Sequence, residues 1–342
     1  MTEKKRNTYV DFLRGVAMLI VVLGHTMTGS ASGSKESVFF NIVWSLQIPM
    51  FILISGYVTR YSRIPDDTRG LFRLLGKRSL AYLLPWFVFT VLLNGIVLGK
   101  QELAPGALFF HMDSGYWFLF SLWTISMIFI PARFVALKLS RKEKAVPFVT
   151  LCFYLIGMAL LGGIGFLAGF DFWCIKLTLY YMPFYCLGYL YGCFRDSVTA
   201  RFSSAISVIT AICGLAWIVS IIKLDLFSLS DTRITDILIR AGVSLCGCIF
   251  VSGVFSAFGN TGPVFRFVEW IGVHSMEVYL LHYYFLNLAA VSALPELMTA
   301  KGLAMVAANY LIAVVLTSTA AKLLSSNRYL NLILFGKPEK KR

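Results

Sequence analysis

Ten apolar runs recur along this chain, each near the ~20 residues that a helix needs to cross a bilayer. They fall at roughly 10–28, 38–58, 79–99, 116–135, 146–168, 175–193, 203–222, 237–257, 270–292 and 302–324. A backbone in hydrocarbon must satisfy its own hydrogen bonds, so runs of this length fold as helices. The pattern predicts an all-α integral membrane protein, a bundle of about ten transmembrane helices. The spans run from about 10 to 324, a basic tail at 325–342 follows, and residues 1–342 read as a single polytopic membrane domain. The first run carries Asp11, Arg14 and His25 and ends without an Ala-x-Ala-like site, so it reads as a retained helix rather than a cleaved signal peptide.

Composition agrees with this reading. The chain is 58% hydrophobic and 14% charged, where soluble globular chains carry about 25% charged residues. Its mean hydropathy is +0.75. That balance excludes a cytosolic enzyme, a disordered tail and a nucleic-acid binder. The net charge of +14 needs a location before it needs a partner.

The basic residues supply that location. With the N-terminus inside, the cytoplasmic segments hold Lys4, Lys5 and Arg6, then six basic residues from Arg60 to Arg78, then Arg133 to Lys144. The tail adds Lys337, Lys340, Lys341 and Arg342, while the outer loops hold only Lys35, Lys100, Lys223, Arg233 and Lys301. This asymmetry places both termini in the cytoplasm and requires an even number of spans. Most of the +14 is therefore a topology signal, with membrane lipids as its partner and no nucleic acid implied. The seven cysteines lie in or beside apolar runs with no Cys-x-x-Cys pair, so neither disulfides nor a metal site is expected.

Ionisable side chains inside a span are costly and point to function. The first run, YVDFLRGVAMLIVVLGH, holds Asp11, Arg14 and His25. Arg14 and His25 are eleven residues apart, which is three helical turns plus about 20°, so they share a face roughly 16 Å apart along the axis. Asp11 precedes Arg14 by three and can pair with it. A bland reading has Arg14 snorkelling to headgroups and His25 sitting at the outer interface. In the run 270–292, Ser275, Tyr279 and His282 recur at i, i+4 and i+7, with Glu269 and Glu277 nearby. That stripe fits a proton-handling or acceptor contact, and equally an interhelical hydrogen-bond seam. The outer segment GKQELAPGALFFHMDSGYW sets His111 and Asp113 beside Trp117. It reads as an acceptor mouth for a carbohydrate, or as an interfacial aromatic belt.

The motif D-x-x-R-G-x-A-x-x-x-V-V-x-G-H of the first run resembles the opening helix of the membrane acyltransferase 3 family. SLQIPMFILISGY at 45–57, KRSLAYLLPW at 77–86, YWFLFSLW at 116–123 and SMEVYLLHYYF at 275–285 resemble further family segments, in order, over some 275 residues. The chain is most similar to compact sugar O-acetylases without a fused esterase-like domain. It departs from the family pattern at Gln47, where the second helix carries His, and at Tyr82, where a second Arg is usual.

The resemblance implies a ten-span enzyme, an O-acetyltransferase of the bacterial inner membrane. It implies acetyl-CoA as acyl donor and a saccharide or glycolipid as acceptor. His25 is the candidate base, since imidazole titrates near neutrality, or else the acyl carrier itself. The resemblance makes Arg14 essential, with a donor-side role suited to its cytoplasmic end. It also favours Arg73, Lys77 and Arg78 as holders of the donor phosphates, over a pure topology role. Asp11 and Gln47 join the expected substrate-binding set with His111, Asp113, Trp117, Ser275, Tyr279 and His282. The competing class is a transporter or exporter of a small solute or glycan along the same polar track. A membrane sensor or scaffold would leave His25 idle.

Overall fold

The computed structural model describes residues 7–100, 103–110, 116–224, 227, 233–257, 261–289 and 293–337. Every regular element among them is helical. In chain order they are α1 (Thr8–Ser30), α2 (Val38–Thr59), α3 (Thr68–Phe87), α4 (Pro105–Phe110), α5 (Trp117–Leu139) and α6 (Val146–Ala168). Then come α7 (Ile175–Lys223), α8 (Ile234–Ala257), α9 (Pro263–Val273), α10 (Ser275–Leu281), α11 (Ala300–Ser326) and α12 (Arg328–Phe335). A π-helical stretch, Val88–Val97, prolongs α3, and a 3-10 turn, His282–Tyr284, follows α10. The sole extended pairing among the described residues is an isolated parallel bridge between Ser32 and Glu296.

Eight of the described helical segments are long and apolar enough to cross a membrane, judged by length and composition. Ten runs were expected, and the two differences have physical causes. The run 175–193 is helical, but it opens the 49-residue α7 and carries Tyr180, Tyr181, Tyr185, Tyr189 and Tyr191, which make it less apolar. Helical geometry lapses further on at Phe202, and the apolar part Ser204–Lys223 follows. The run 270–292 is not one helix. His274, with φ −105° and ψ 23°, ends α9 and starts α10, and the chain then tightens into the 3-10 turn. Irregular backbone at membrane depth is tolerated only where protein covers it, and Leu280, Leu281 and His282 are all buried.

A third difference concerns the basic segment. The third apolar run begins at 79, which leaves Arg60 to Arg78 outside the expected helix. The structure starts α3 at Thr68, so Arg69, Arg73, Lys77 and Arg78 are helical. Hydropathy alone located the apolar part of this helix and missed its polar first turns.

The described chain forms two compact units, Met1–Ile54 with Phe194–Leu323 and Ser55–Cys193 with Leu324–Arg342. In the first unit α1 packs along α9. Phe12 stacks on Phe265 at 4.5 Å and meets Phe255 edge-on at 5.2 Å. The contact is close because Gly15 lies against the carbonyl of Val268, where a Cβ would overlap the backbone. Small residues let membrane helices approach in this way. Nearer the C-terminal end of α1, Met27, Ala31, Phe40, Leu297 and Val306 form a buried cluster.

In the second unit α5 packs against α3 and α6. Phe129 is fully buried, with Tyr154, Tyr185 and Tyr189 edge-on around it at 4.8–5.5 Å. Asn327 caps α12 by accepting from the amides of Tyr329 and Leu330. Phe335, at its far end, is buried and stacks on Phe89.

Candidate functional site

The site is built in the first unit, where α1, α2 and the broken α9–α10 segment converge. Helical phase on α1 puts His25 one residue beyond Gly24, and Gly24 is where α2 comes close. A Cβ there would meet Val43, Trp44 and the Oε1 of Gln47 at 2.7, 3.2 and 3.2 Å. The missing side chain thus lets α2 lay Trp44 beside His25 and Gln47 against Gly24. The Trp44 ring lies edge-on to the His25 ring, centroids 6.4 Å apart. Phe40 stacks on Trp44 at 3.9 Å and holds it there. Gln47 is buried, and its Oε1 has no hydrogen-bond partner among the described residues.

The break at His274 has a consequence for the other side of the site. It turns α10 and the 3-10 turn so that His282 and Tyr283 both reach His25. The His25 and His282 rings lie 5.3 Å apart, and the Tyr283 ring lies 4.9 Å from His25. The Tyr283 hydroxyl is 3.0 Å from His25 Nε2. His282 is fully buried, and its Nδ1 is 2.7 Å from the carbonyl oxygen of Tyr279. A carbonyl can only accept, so Nδ1 of His282 carries the proton and the neutral ring presents a lone pair at Nε2. That Nε2 is buried and has no partner among the described residues. Two imidazoles and a phenol, set among apolar helices, can pass protons and meet a polar guest.

The turn that carries these groups is fastened to α1. Ser30 donates to Asn287 Oδ1 at 2.6 Å, and Asn309 of α11 donates to Ser30 Oγ at 3.1 Å. The Asn309 carbonyl oxygen accepts from the Ala289 amide at 2.9 Å. Asn287 adopts the left-handed region at φ +56°, which asparagine tolerates better than most residues. The clamp joins the end of α1, the turn after His282 and α11.

Of the residues expected from sequence, His25, Tyr279 and His282 are brought together, and Gln47 lies against Gly24, the residue before His25. Ser275 opens α10, half-buried, on the same short helix as Tyr279. The expected i, i+4, i+7 stripe is interrupted, because His282 belongs to the 3-10 turn rather than to α10. Arg14 and Asp11 form an ion pair, Nη1 to Oδ1 3.5 Å, with Asp11 buried. They sit in the early turns of α1, Arg14 about 16 Å and Asp11 about 21 Å along the helix from His25, so Arg14 does not join the imidazoles. His111 and Asp113 lie outside the described residues.

The remaining expected residues belong to the second unit. Trp117 starts α5 and stacks on Tyr181 with centroids 5.7 Å apart. Arg73 and Lys77 are exposed one turn apart on α3, and Arg78 is half-buried on a different face. The segment leading to them is held by Arg133, a buried cation of α5. Its Nη1 donates to the carbonyls of Thr59 and Ser62 and its Nη2 to that of Arg60. These carbonyls lie at and beyond the C-terminus of α2, where a positive charge is favoured.

Sequence reasoning missed Tyr283, Trp44, Arg133 and the Ser30–Asn287–Asn309 clamp. Asn309 carried a usable signal, being an amide inside an apolar run. Trp44 and Tyr283 carried none, since aromatic residues are common near membrane interfaces. Among the described residues no group of three or more His, Cys, Asp or Glu side chains converges as a metal site.

A model of an acyltransferase domain, that of the acyltransferase 3 family, matches residues 7–322. The chain is 25% identical to nodulation protein NolL of Sinorhizobium fredii over 198 residues, 55% of this chain and 49% of that protein. It is 23% identical to nodulation protein NolL of Mesorhizobium japonicum over 230 residues, 62% of this chain and 57% of that protein. The chain thus spans about half the length of these curated relatives. No solved structure matches it.

Proposed function

This chain belongs to the acyltransferase 3 family, and on that premise we propose that it is a membrane O-acyltransferase. The donor in this reading is acetyl-CoA and the acceptor a hydroxyl of a cell-surface or lipid-linked saccharide. The observation that carries it is His25, an imidazole among apolar helices with a hydroxyl already 3.0 Å from its Nε2. Acyl transfer to an alcohol needs such a group at hydrogen-bond reach of an O–H. As base, His25 takes the acceptor proton while the acceptor oxygen bonds to the acyl carbon. The carbon–sulfur bond breaks, and the thiolate leaves with the proton returned by His25. As acyl carrier, the same nitrogen attacks the thioester first and hands the acetyl group on.

Other residues take supporting roles in this reading. Arg14, oriented by Asp11, acts on the donor side. Arg73, Lys77 and Arg78 hold the phosphates of coenzyme A, with Arg133 fixing the segment that leads to them. Gln47, Ser275, Tyr279 and His282 line the acceptor side near His25, and His111, Asp113 and Trp117 contribute to acceptor capture. No metal has a part in these steps.

The topology belongs to the same proposal. The tyrosine-rich start of α7 and the broken α9–α10 segment count as passes beside the eight apolar helices. Ten passes then leave both termini in the cytoplasm of a bacterial-type inner membrane, as the basic residues favour. Residues 1–342 act as a single polytopic domain.

The test is product formation. Membrane vesicles holding the protein, given acetyl-CoA labelled in the acetyl group, transfer label to an extractable glycolipid or glycan, and vesicles without the protein do not. A second reading, a transporter, draws on the helix break at His274, since discontinuous helices line transport sites. It predicts solute or glycan movement with no label transferred.

A further inference from the structure

We propose that Tyr283 selects an alcohol acceptor over water, by capping the lone pair of His25 until the acceptor displaces it. The inference rests on the acyl-transfer reading above and takes His25 as base. A neutral imidazole has one lone pair, on the nitrogen that lacks a proton. The Tyr283 hydroxyl lies 3.0 Å from His25 Nε2. A phenol is the stronger acid of the two, so it donates, and the His25 proton resides on Nδ1. Nε2 is then occupied in the empty site. Any O–H that is to lose its proton to His25 must take the place of the Tyr283 hydroxyl.

The surroundings let the tyrosine act this way. Tyr283 is 39% exposed, whereas its neighbour His282 is fully buried. Of the two ring partners on the turn, only Tyr283 therefore has room to swing aside. The backbone beneath it is held, because the turn is pinned through Asn287 to Ser30 and Asn309. Displacement is thus a side-chain rotation on a fixed turn. Water brings no binding energy of its own to that exchange. A saccharide hydroxyl is delivered by the rest of a bound sugar, and remote contacts offset the lost hydrogen bond. When water does win, its oxygen bonds to the acyl carbon as the carbon–sulfur bond breaks, one proton passes through Nε2 to the leaving thiolate, and free thiol and acetic acid result, the acid losing its proton to solvent. When the sugar wins, the same steps yield the ester and free thiol.

The experiment uses Tyr283→Phe in the purified full chain, checked by thermal melting, with Tyr283→Met as a second variant that also lacks the hydroxyl. Two rates are read: thiol release from acetyl-CoA without acceptor, and carbethoxylation of His25 by diethylpyrocarbonate, located by mass spectrometry. Loss of one hydrogen bond near 1 kcal/mol raises each rate about fivefold. At limiting acceptor transfer rises with them, whereas at saturating acceptor, where the bound hydroxyl has already displaced the cap, the ratio of acceptor-free release to transfer rises about fivefold. The proposal is overturned if His25 carbethoxylation is unchanged in a folded variant, or if acceptor-free release and transfer fall together, which would make the phenol a required proton donor. Wild-type protein that transfers no acetyl group and releases no thiol with a glycolipid acceptor present would defeat the acyl-transfer reading instead, and the carbethoxylation rates would still decide whether Tyr283 caps His25.

Discussion

The rings of His25 and His282 lie 5.3 Å apart, centroid to centroid, and tilted by 39°. They come from opposite ends of the chain. They meet because α9 stops at His274 and the following turn folds His282 inward against α1. His282 is then locked in one tautomer by the Tyr279 carbonyl, with a buried Nε2 lone pair. His25 keeps its partly exposed position and bonds outward to Tyr283.

This pairing makes His282 a second proton-handling group next to the base. His282→Phe keeps an aromatic ring of similar size and removes both nitrogens. Transfer is expected to fall by ~10²-fold, at the low end for a group that moves a proton. Thermal melting of the purified variant should stay near wild type. An unchanged rate would leave His282 as packing only.

The clamp at the end of α1 should matter to both folding and rate. Asn309→Ala leaves the Ala289 amide without its acceptor and Ser30 without its donor. Stripping partners from such buried groups costs roughly 1–3 kcal/mol. The melting temperature should fall, and Ser30→Ala should fall with it non-additively, because the two share one network. Fully additive effects from a double-mutant cycle would contradict a single clamp.

The approach of α1 to α9 depends on the bare Cα of Gly15. Gly15→Val places a Cβ where the Val268 carbonyl stands, with two methyl groups beyond it. Overpacking of this kind costs typically ~1–3 kcal/mol. Lower yield and a lower melting temperature are expected, with loss of transfer in proportion to folded protein.

Legibility from sequence varied from residue to residue. His25, Arg14 and His282 stood out because an ionisable group inside an apolar run is costly and therefore conspicuous. The long apolar helices were equally plain. The break at His274 was not, because a run of apolar residues reads the same whether one helix or two short ones carry it. Which turn packs on which helix is also invisible to periodicity, so nothing linked Tyr283 to His25 or Asn287 to Ser30. Gln47 was noticed only as a departure from a pattern, and its place beside Gly24 required the approach of α2. Arg133 resembled other cytoplasmic basic residues. Its burial, and its bonds to the carbonyls of Thr59, Arg60 and Ser62, mark it as structural.

The basic turns of α3 give a prediction about the donor. Arg73 and Lys77 are exposed one turn apart, a spacing suited to one phosphate group. The double variant Arg73→Ala, Lys77→Ala should weaken binding of coenzyme A by about tenfold, read by calorimetry, since each solvent-exposed ion pair contributes up to about 1 kcal/mol. The effect should shrink as salt is raised, since these charges are open to solvent. Equal affinity in wild type and variant would return both residues to the topology signal.

The most direct test is thiol release from acetyl-CoA by detergent-purified protein in the presence of a glycolipid extract as acceptor, wild type against His25→Ala. The wild type should turn over. A folded His25→Ala, with a melting curve like wild type and unaltered binding of coenzyme A, should be slower by ~10²–10⁴-fold. Turnover by that variant at the wild-type rate would contradict His25 as the centre of the chemistry.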